Sequence, residues 1–160
     1  MVASIIRFLN IVLVALLAGT SFGIWVGFNP KNYSYATYVE QQQHLVLSLN
    51  SLMVSMVIVS TLITIISAFI QRKNKTVFFL LLLAAAFLGS CIFISRFGNL
   101  PIQQEILTWK ADSFPENWTL LRDEWWDFHI MRTIVELLAL VLVAWVSSFA
   151  TFHQMEPKTS

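Results

Sequence analysis

Hydrophobic residues run along this chain in four long stretches, which are separated by three polar connections. Each stretch is long enough to cross the hydrocarbon core of a bilayer as an α-helix, which takes about 20 residues. The pattern predicts four membrane-spanning helices, over residues 5–28, 45–70, 77–97 and 129–152. We therefore expect a single domain over residues 1–160, an all-α integral membrane four-helix bundle with a structured outer loop between the third and fourth spans.

The composition agrees with this interpretation and excludes several classes of function. Of the 160 residues, 57% are hydrophobic and only 12% are charged, which is far too apolar for a soluble domain of this length. The net charge of +1 offers no basic surface for nucleic acid, so the bilayer is the expected partner. Cys91 is the single cysteine. It cannot form an intrachain disulfide, and a role as a small buried apolar residue is favoured for it.

Charge in the short connections predicts the orientation of the spans. Residues 71–75 hold Arg72, Lys73 and Lys75 and no acid. Short loops rich in Lys and Arg stay in the cytoplasm. With four spans, both termini are then cytoplasmic, which Arg7 and Lys158 support, and the plasma or inner membrane is the expected location.

Small residues recur at every fourth position of the first span, at Ala15, Gly19, Gly23 and Gly27. Such spacing lets a second helix approach closely, because lipid itself supplies no hydrophobic drive for helices to associate. Packing inside the bundle is the favoured interpretation. The alternative is a homo-oligomer that forms through Gly19, Gly23 and Gly27.

The beginning of the fourth span carries the most informative polar residues. Trp126, His129, Arg132 or Thr133, and Glu136 recur every three or four residues, so they share one helical face. Ionisable groups at membrane depth are costly and are functional candidates by default. The simpler interpretation is that Arg132 and Glu136 form a structural pair that neutralises both charges. That pair explains two of the residues but leaves His129 unexplained.

A second polar cluster precedes the second span. Glu40 and His44 are four residues apart and share a helical face, with Gln43 beside them. One interpretation is a wet helix start at the membrane interface, where Glu40 lies near the positive end of the helix dipole. The other is a pair of ligands or proton-transfer groups that point into the bundle.

A third polar cluster follows the third span. We expect Gly98 and Pro101 to break the helix, so that Asn99 is displayed at a bend and Arg96 reaches the headgroups. A helix-like piece over 102–110 is then expected along the outer surface. Trp side chains at membrane boundaries are usually interfacial anchors, and this interpretation covers Trp109, Trp118 and Trp125.

The topology brings these three clusters to the same end of the bundle, which predicts one site near the outer leaflet between the second, third and fourth spans. Its chemistry has three open alternatives. His44 and His129 can hold a haem iron axially, or join Glu40 as a two-His, one-carboxylate set for iron or copper. In the third, His129 is a general base and Arg132 stabilises an oxyanion, with no cofactor. Spacing alone selects none of them.

The run over 98–102, the Trp-containing loop and the run over 126–133 resemble the anthrone oxygenase-like family of small four-span membrane proteins. The residues that match the family's Trp, His, Arg-Thr series are Trp126, His129, Arg132 and Thr133. The chain departs from the pattern at Gln103, where the family usually has Asn, and Gln42 or Gln43 matches its Gln loosely.

This resemblance implies the oxidation of an electron-rich polycyclic phenol to a quinone by oxygen. Such a substrate forms a carbanion readily, so a base and an oxyanion stabiliser can suffice without a metal. His129 then removes the proton, Arg132 or Asn99 holds the oxygen, and Trp126 completes the candidate catalytic set. The sequence therefore favours a membrane-embedded oxidoreductase. A haem- or metal-binding bundle and a non-enzymatic partner subunit are the alternatives.

Overall fold

The computed structural model describes residues 2–110, 112–113 and 115–152, with side chains as far as residue 148. The expected polar tail over 153–160 lies outside the described residues, and so does Lys158. The described chain is helical apart from short connections, and it holds one isolated β-bridge between Lys110 and Ser113. The prediction of an all-α fold is confirmed.

The described residues form five α-helices: α1 Val2–Gly27, α2 Tyr35–Ile70, α3 Lys75–Ile94, α4 Leu100–Ile106 and α5 Trp118–Phe152. A 3₁₀ turn, Pro30–Asn32, connects α1 to α2, and a π-helical segment, Ser95–Asn99, connects α3 directly to α4. Four helical stretches are long and apolar enough to cross a membrane: Val2–Asn32, Tyr35–Ile70, Lys75–Ile106 and Trp118–Ser148. The predicted four-span membrane architecture is therefore confirmed.

The helices pack as a bundle in which α1 and α3 each contact both α2 and α5. Small and branched apolar side chains fill the centre, where they exclude lipid from the helix interfaces. Among the most deeply buried of them are Val14, Leu17, Ala68, Leu81, Ala84, Leu88, Ala139 and Val143. We call the end of the bundle that carries the connections 28–34 and 107–117 the loop end.

Two helices begin about ten residues earlier than the hydrophobic pattern predicts. Helix α2 begins at Tyr35 and not at residue 45, because the Ser34 hydroxyl caps it by accepting from the backbone N–H of Thr37. Helix α5 begins at Trp118 and not at residue 129. The early turns of both helices are stable because one face of each is buried in an aromatic cluster at the loop end.

The predicted helix break at Gly98 and Pro101 is wrong. The π-helical segment gains one residue per turn and passes without interruption into α4, where Pro101 lies in the first turn and its missing N–H is tolerated. Gly98 is needed for packing: a Cβ atom built there would lie 2.6 Å from ring atoms of Phe128.

The segment after Pro101 packs one side into the bundle, whereas Gln104 and Glu105 on its other side are exposed. Ile102 and Ile106 are buried in the loop-end aromatic cluster. Gln43 fixes this segment, because its Nε2 donates to the carbonyl oxygens of Ile106 and Trp109, both at 3.0 Å. These bonds supply a donor to the Trp109 carbonyl and a second donor to the Ile106 carbonyl, which also accepts from the backbone N–H of Trp109.

The interpretation of three tryptophans as simple interfacial anchors is also corrected. Trp109 and Trp125 are buried and Trp118 is partly buried, all in the loop-end cluster. Tyr35 stacks on Trp109 with ring centroids 6.0 Å apart and meets Trp118 edge to face at 5.3 Å. The aromatic side chains therefore form a packed cap over the loop end of the bundle.

The stripe of glycines on α1 does not pack inside the bundle, so the favoured interpretation was wrong. Gly19, Gly23 and Gly27 are exposed, and a Cβ atom at any of them would meet nothing within 4 Å. A homo-oligomer that forms through these three residues stays a prediction.

Candidate functional site

A cavity of about 180 Å³ lies between α2, α5 and the continuous helix that runs from α3 through the π-helical segment into α4. Its apolar wall comes from Leu17 of α1, Met53 and Val57 of α2, and their neighbours. Its polar lining, which we call the polar wall, is formed by the side chains of Asn50, Cys91, Ser95, Arg96, Asn99, Gln103, Arg132 and Glu136. The structure therefore contains a pocket at the predicted place, between the second, third and fourth spans.

One helical stretch supplies much of the polar wall. Cys91, Ser95, Asn99 and Gln103 occur at every fourth position and all line the pocket. This alignment depends on the π-helical segment, because its wider turn keeps residues that are four apart on the same face of the helix. Such single-turn π-helical insertions are frequently found at functional sites.

Arg132 lies at the centre of the polar wall, and its guanidinium is held from three sides. Nη1 donates to the Ser95 hydroxyl at 3.4 Å, Nη2 donates to Nδ1 of His129 at 3.3 Å, and Nε lies 3.7 Å from Oε1 of Glu136. The predicted Arg132–Glu136 pair therefore exists. All three contacts are long, so a guanidinium with five N–H donors retains capacity for an additional acceptor in the pocket.

Two oxygen atoms of the polar wall are buried and lack a hydrogen-bond partner within the described protein. They are Oε2 of Glu136 and Oδ1 of Asn99. The orientation of the Asn99 amide follows from its other end, because Nδ2 donates to the carbonyl oxygen of Trp125 at 3.0 Å. Buried oxygens without partners are uncommon, and here they belong to residues that line a pocket.

Both ring nitrogens of His129 are engaged, and their partners define the tautomer. Nδ1 accepts from Arg132, which can only donate, so Nε2 carries the proton. Nε2 then donates to the carbonyl oxygen of Ser21 in α1 at 3.2 Å. His129 is fully buried and does not line the pocket. It connects α1 to the arginine that does.

The residues predicted to share one face of the fourth span do so. Trp126, His129, Thr133 and Glu136 are all buried. The His129 ring stacks on Trp126 at 5.5 Å between centroids, and on Trp125 at 5.3 Å with the planes 7° apart. Trp126 therefore lies behind the pocket, where it holds His129 in place.

The structure does not bring Glu40 and His44 to this site. Both side chains are exposed on α2, whereas His129 is buried in the interior. This agrees with the interpretation of a wet helix start. In the described part of the chain, no group of three or more His, Cys, Asp and Glu residues is placed to hold a metal ion. The haem and the iron or copper alternatives gain no support from these positions.

Sequence reasoning missed four residues of the polar wall: Asn50, Cys91, Ser95 and Gln103. The signal was present in the fourfold spacing from Cys91 to Gln103. It was obscured by the expectation that the helix ends at Gly98, since a broken helix has no continuous face. Asn50 lies within an apolar run and gave no signal of its own.

These features define a class: a small multi-pass membrane protein that holds an arginine, a carboxylate and several amides around an intramembrane pocket. The chain belongs to the anthrone oxygenase family, whose model matches residues 43–142, more than half of the chain. The matched region contains all the pocket residues except Leu17. The predicted resemblance is thereby confirmed. No curated protein and no solved structure matches the chain.

Proposed function

We propose that this protein is a membrane-embedded oxygenase that converts an electron-rich, phenol-type lipophilic substrate to a quinone with molecular oxygen. Family membership supports an oxygenase-like function. The observation that carries the proposal is the polar wall, where Arg132, Glu136 and Asn99 line one apolar pocket and the last two residues each have a buried oxygen without a hydrogen-bond partner among the described residues.

Each polar group has a separate role in holding such a substrate. The apolar wall packs against the ring, and Oδ1 of Asn99 accepts a hydrogen bond from its hydroxyl. Arg132 stabilises the negative charge that develops on the substrate oxygen as a proton leaves. A charge-assisted bond of this kind is strong in a site from which water is excluded.

The net reaction oxidises the ring carbon para to the phenolic oxygen, which is a CH₂ carbon in the keto tautomer of the substrate: R₂CH₂ and O₂ give R₂C=O and H₂O. A base takes one proton, and the electron pair left on carbon forms a C–O bond with oxygen. The resulting hydroperoxide loses its second C–H proton as the O–O bond breaks. One oxygen atom stays as the carbonyl, and the other leaves as water.

We assign the base to Glu136. Glu136 lines the pocket, and its buried carboxylate lies beside the Ser21 hydroxyl and the Arg132 guanidinium without a close hydrogen bond at Oε2, whereas both nitrogens of His129 are occupied and that residue lies behind the wall. The earlier prediction of His129 as the base stays a prediction. In our proposal His129 acts through Arg132.

The test is oxygen uptake and quinone formation by purified protein in lipid nanodiscs, supplied with anthrone and with a phenol that carries a long alkyl chain. Glu136→Gln and Arg132→Gln should each lower kcat/KM by about 100-fold, the scale of losing a catalytic base or an oxyanion donor. Glu124→Gln, an exposed change on the same helix, is the control and should have no effect. Unchanged turnover in Glu136→Gln would remove the proposed base.

We also propose that the loop end faces the cell exterior or periplasm. The cationic turn with Arg72, Lys73 and Lys75 supports this orientation, because such short loops stay in the cytoplasm. Single cysteines at Lys110 and Lys73 test it with a membrane-impermeant thiol reagent on intact cells. The first should react and the second should not, and the opposite result would invert the orientation.

A further inference from the structure

The pocket has an open side between α2 and the helix that continues from α3 into α4. Four lining residues are exposed, and they lie on these two helices: Val54, Ile58, Ile92 and Arg96. Three of them are aliphatic and 38–43% exposed. Since both helices are candidate membrane spans, these side chains face the hydrocarbon region of the bilayer.

The polar residues around this opening lie on the side toward the loop end. Arg96 borders it toward the loop end, whereas Ile92 lies one helical turn further from that end, on the same helix. Across the opening, Val54 and Ile58 lie further from the loop end than Asn50 does. The part of the opening that lies away from the loop end is therefore purely aliphatic, which suits a hydrocarbon chain and not a polar group.

The volume of the pocket limits what can enter it. A cavity of about 150 Å³ takes up a single benzene ring, whereas pockets for drug-sized ligands occupy roughly 300–1,000 Å³. At about 180 Å³, this pocket matches one ring with a small substituent. A fused three-ring molecule exceeds it unless part of the molecule protrudes through the opening.

We infer that the pocket takes a lipid-like phenol: one aromatic ring enters sideways from the bilayer, and a hydrocarbon tail leaves between Val54, Ile58 and Ile92 into the lipid. The ring hydroxyl then faces Asn99 and Arg132 on the polar wall. This inference rests on the proposed function for the phenolic head. It adds the route of entry and the single-ring, tailed shape of the substrate.

The first experiment measures binding, without turnover. A tritium-labelled phenol with a pentadecyl chain in the meta position is titrated against the detergent-purified full-length protein. Unlabelled meta-cresol, which has the same ring without the tail, and anthrone compete with it. The tailed phenol should bind at least tenfold more tightly than either competitor. If meta-cresol bound equally tightly, the tail would not contribute to binding. If anthrone bound equally tightly, the pocket would not be limited to a single ring.

Two matched pairs of variants test the opening. Ile58→Trp fills it from the α2 side and Leu62→Trp, an exposed change one turn further along the same helix, does not. Ile92→Trp and Phe93→Trp form the same comparison on α3. The two changes at the opening should weaken binding of the tailed phenol at least tenfold and the two controls less than twofold. Equal effects within each pair would overturn lateral entry.

The same variants separate this inference from the proposed function. If the tailed phenol binds as expected but is not oxidised, the access route stands and the oxygenase proposal fails. If the wild-type protein oxidises a phenol and Ile58→Trp does so at the same rate, the oxygenase proposal stands and lateral entry fails. If the tailed phenol does not bind at all, the inference is wrong whatever the turnover.

Discussion

Arg132 donates from Nη2 to Nδ1 of His129 at 3.3 Å, and this contact makes the histidine a support for the arginine. The other ring nitrogen of His129 is bound to the carbonyl oxygen of Ser21, and its ring is stacked on Trp125 and Trp126. A fixed ring of this kind orients the side chain that it contacts, as outer-shell partners do around metal ligands. The two tryptophans therefore hold the His129 ring, His129 contacts Arg132, and Arg132 lines the pocket.

Replacing His129 should impair turnover indirectly. His129→Ala leaves Arg132 without its Nη2 partner, and a misplaced catalytic group costs about 100-fold in rate. His129→Gln retains a side-chain oxygen that can accept from Arg132, so it should recover a substantial part of kcat. If His129 were itself the base, Gln and Ala would be equally inactive, and steady-state kinetics on the two variants distinguishes these outcomes.

Removing one charge of the Arg132–Glu136 pair should destabilise the protein much more than removing both charges. Arg132→Met leaves Glu136 buried without a counter-charge, which costs about 3–5 kcal/mol in unfolding free energy. The double variant Arg132→Met with Glu136→Leu removes both charges and should regain most of that loss while remaining inactive. Thermal unfolding in detergent measures the first quantity and oxygen uptake the second. A double variant as unstable as Arg132→Met would show that the pair itself holds the bundle together.

The polar face of the fourth span could be predicted from sequence because both of its causes are local. A regular helix fixes which residues share a face, and an ionisable residue in an apolar run is conspicuous. The partner of each residue could not be predicted. His129 binds a backbone carbonyl of Ser21, more than a hundred residues away, and a backbone acceptor carries no signature in the sequence.

The course of the third helix could not be predicted, because neither Gly98 nor Pro101 ends the helix, although both residue types usually do. Gly98 permits the close approach of Phe128, and Pro101 is accommodated by the π-helical segment before it. The early start of α2 was also missed by the hydrophobic pattern. Ser34 is a good capping residue, but the polar residues between it and the apolar run concealed a buried face that only the aromatic cluster explains.

Gly98→Ala should destabilise the protein and lower its activity. The new methyl group would meet the Phe128 ring at 2.6 Å, so the ring must shift. Overpacking of this kind costs about 1–3 kcal/mol, and Phe128 precedes His129 in the chain. Gly89→Ala is the matched control, since its methyl group would meet nothing within 4 Å. Comparing the unfolding midpoints and kcat of the two variants tests the prediction, and equal behaviour would contradict it.

A buried polar contact between α1 and α2 lies away from the pocket and should be purely structural. The Thr64 hydroxyl of α2 lies 2.7 Å from Oδ1 of Asn10 in α1 and 2.7 Å from the carbonyl oxygen of Ser60, so its one proton is shared between these two acceptors. Asn10 and Thr64 are both buried. Thr64→Val should lower stability by about 0.6 kcal/mol, the average for interhelical hydrogen bonds in membranes, with no change in kcat. Thr61→Val is the control, because that hydroxyl bonds only to Val57 of its own helix. A large loss of turnover in Thr64→Val would show that this contact also shapes the pocket.

Gln43 should control the order of the connection between α4 and α5. Its side-chain amide satisfies the carbonyl oxygens of both Ile106 and Trp109, and these bonds tie the connection to α2. Gln43→Leu leaves the Trp109 carbonyl without that donor, whereas the Ile106 carbonyl still accepts from the backbone N–H of Trp109. One buried unsatisfied group costs about 1–3 kcal/mol, so the connection should detach from α2 more often. Limited proteolysis by trypsin at Lys110 measures this opening, and cleavage should be at least several times faster in the variant. Gln41→Leu, an exposed change two residues away, should leave the cleavage rate unchanged. Equal rates in the two variants would mean that the aromatic cluster alone holds the connection in place.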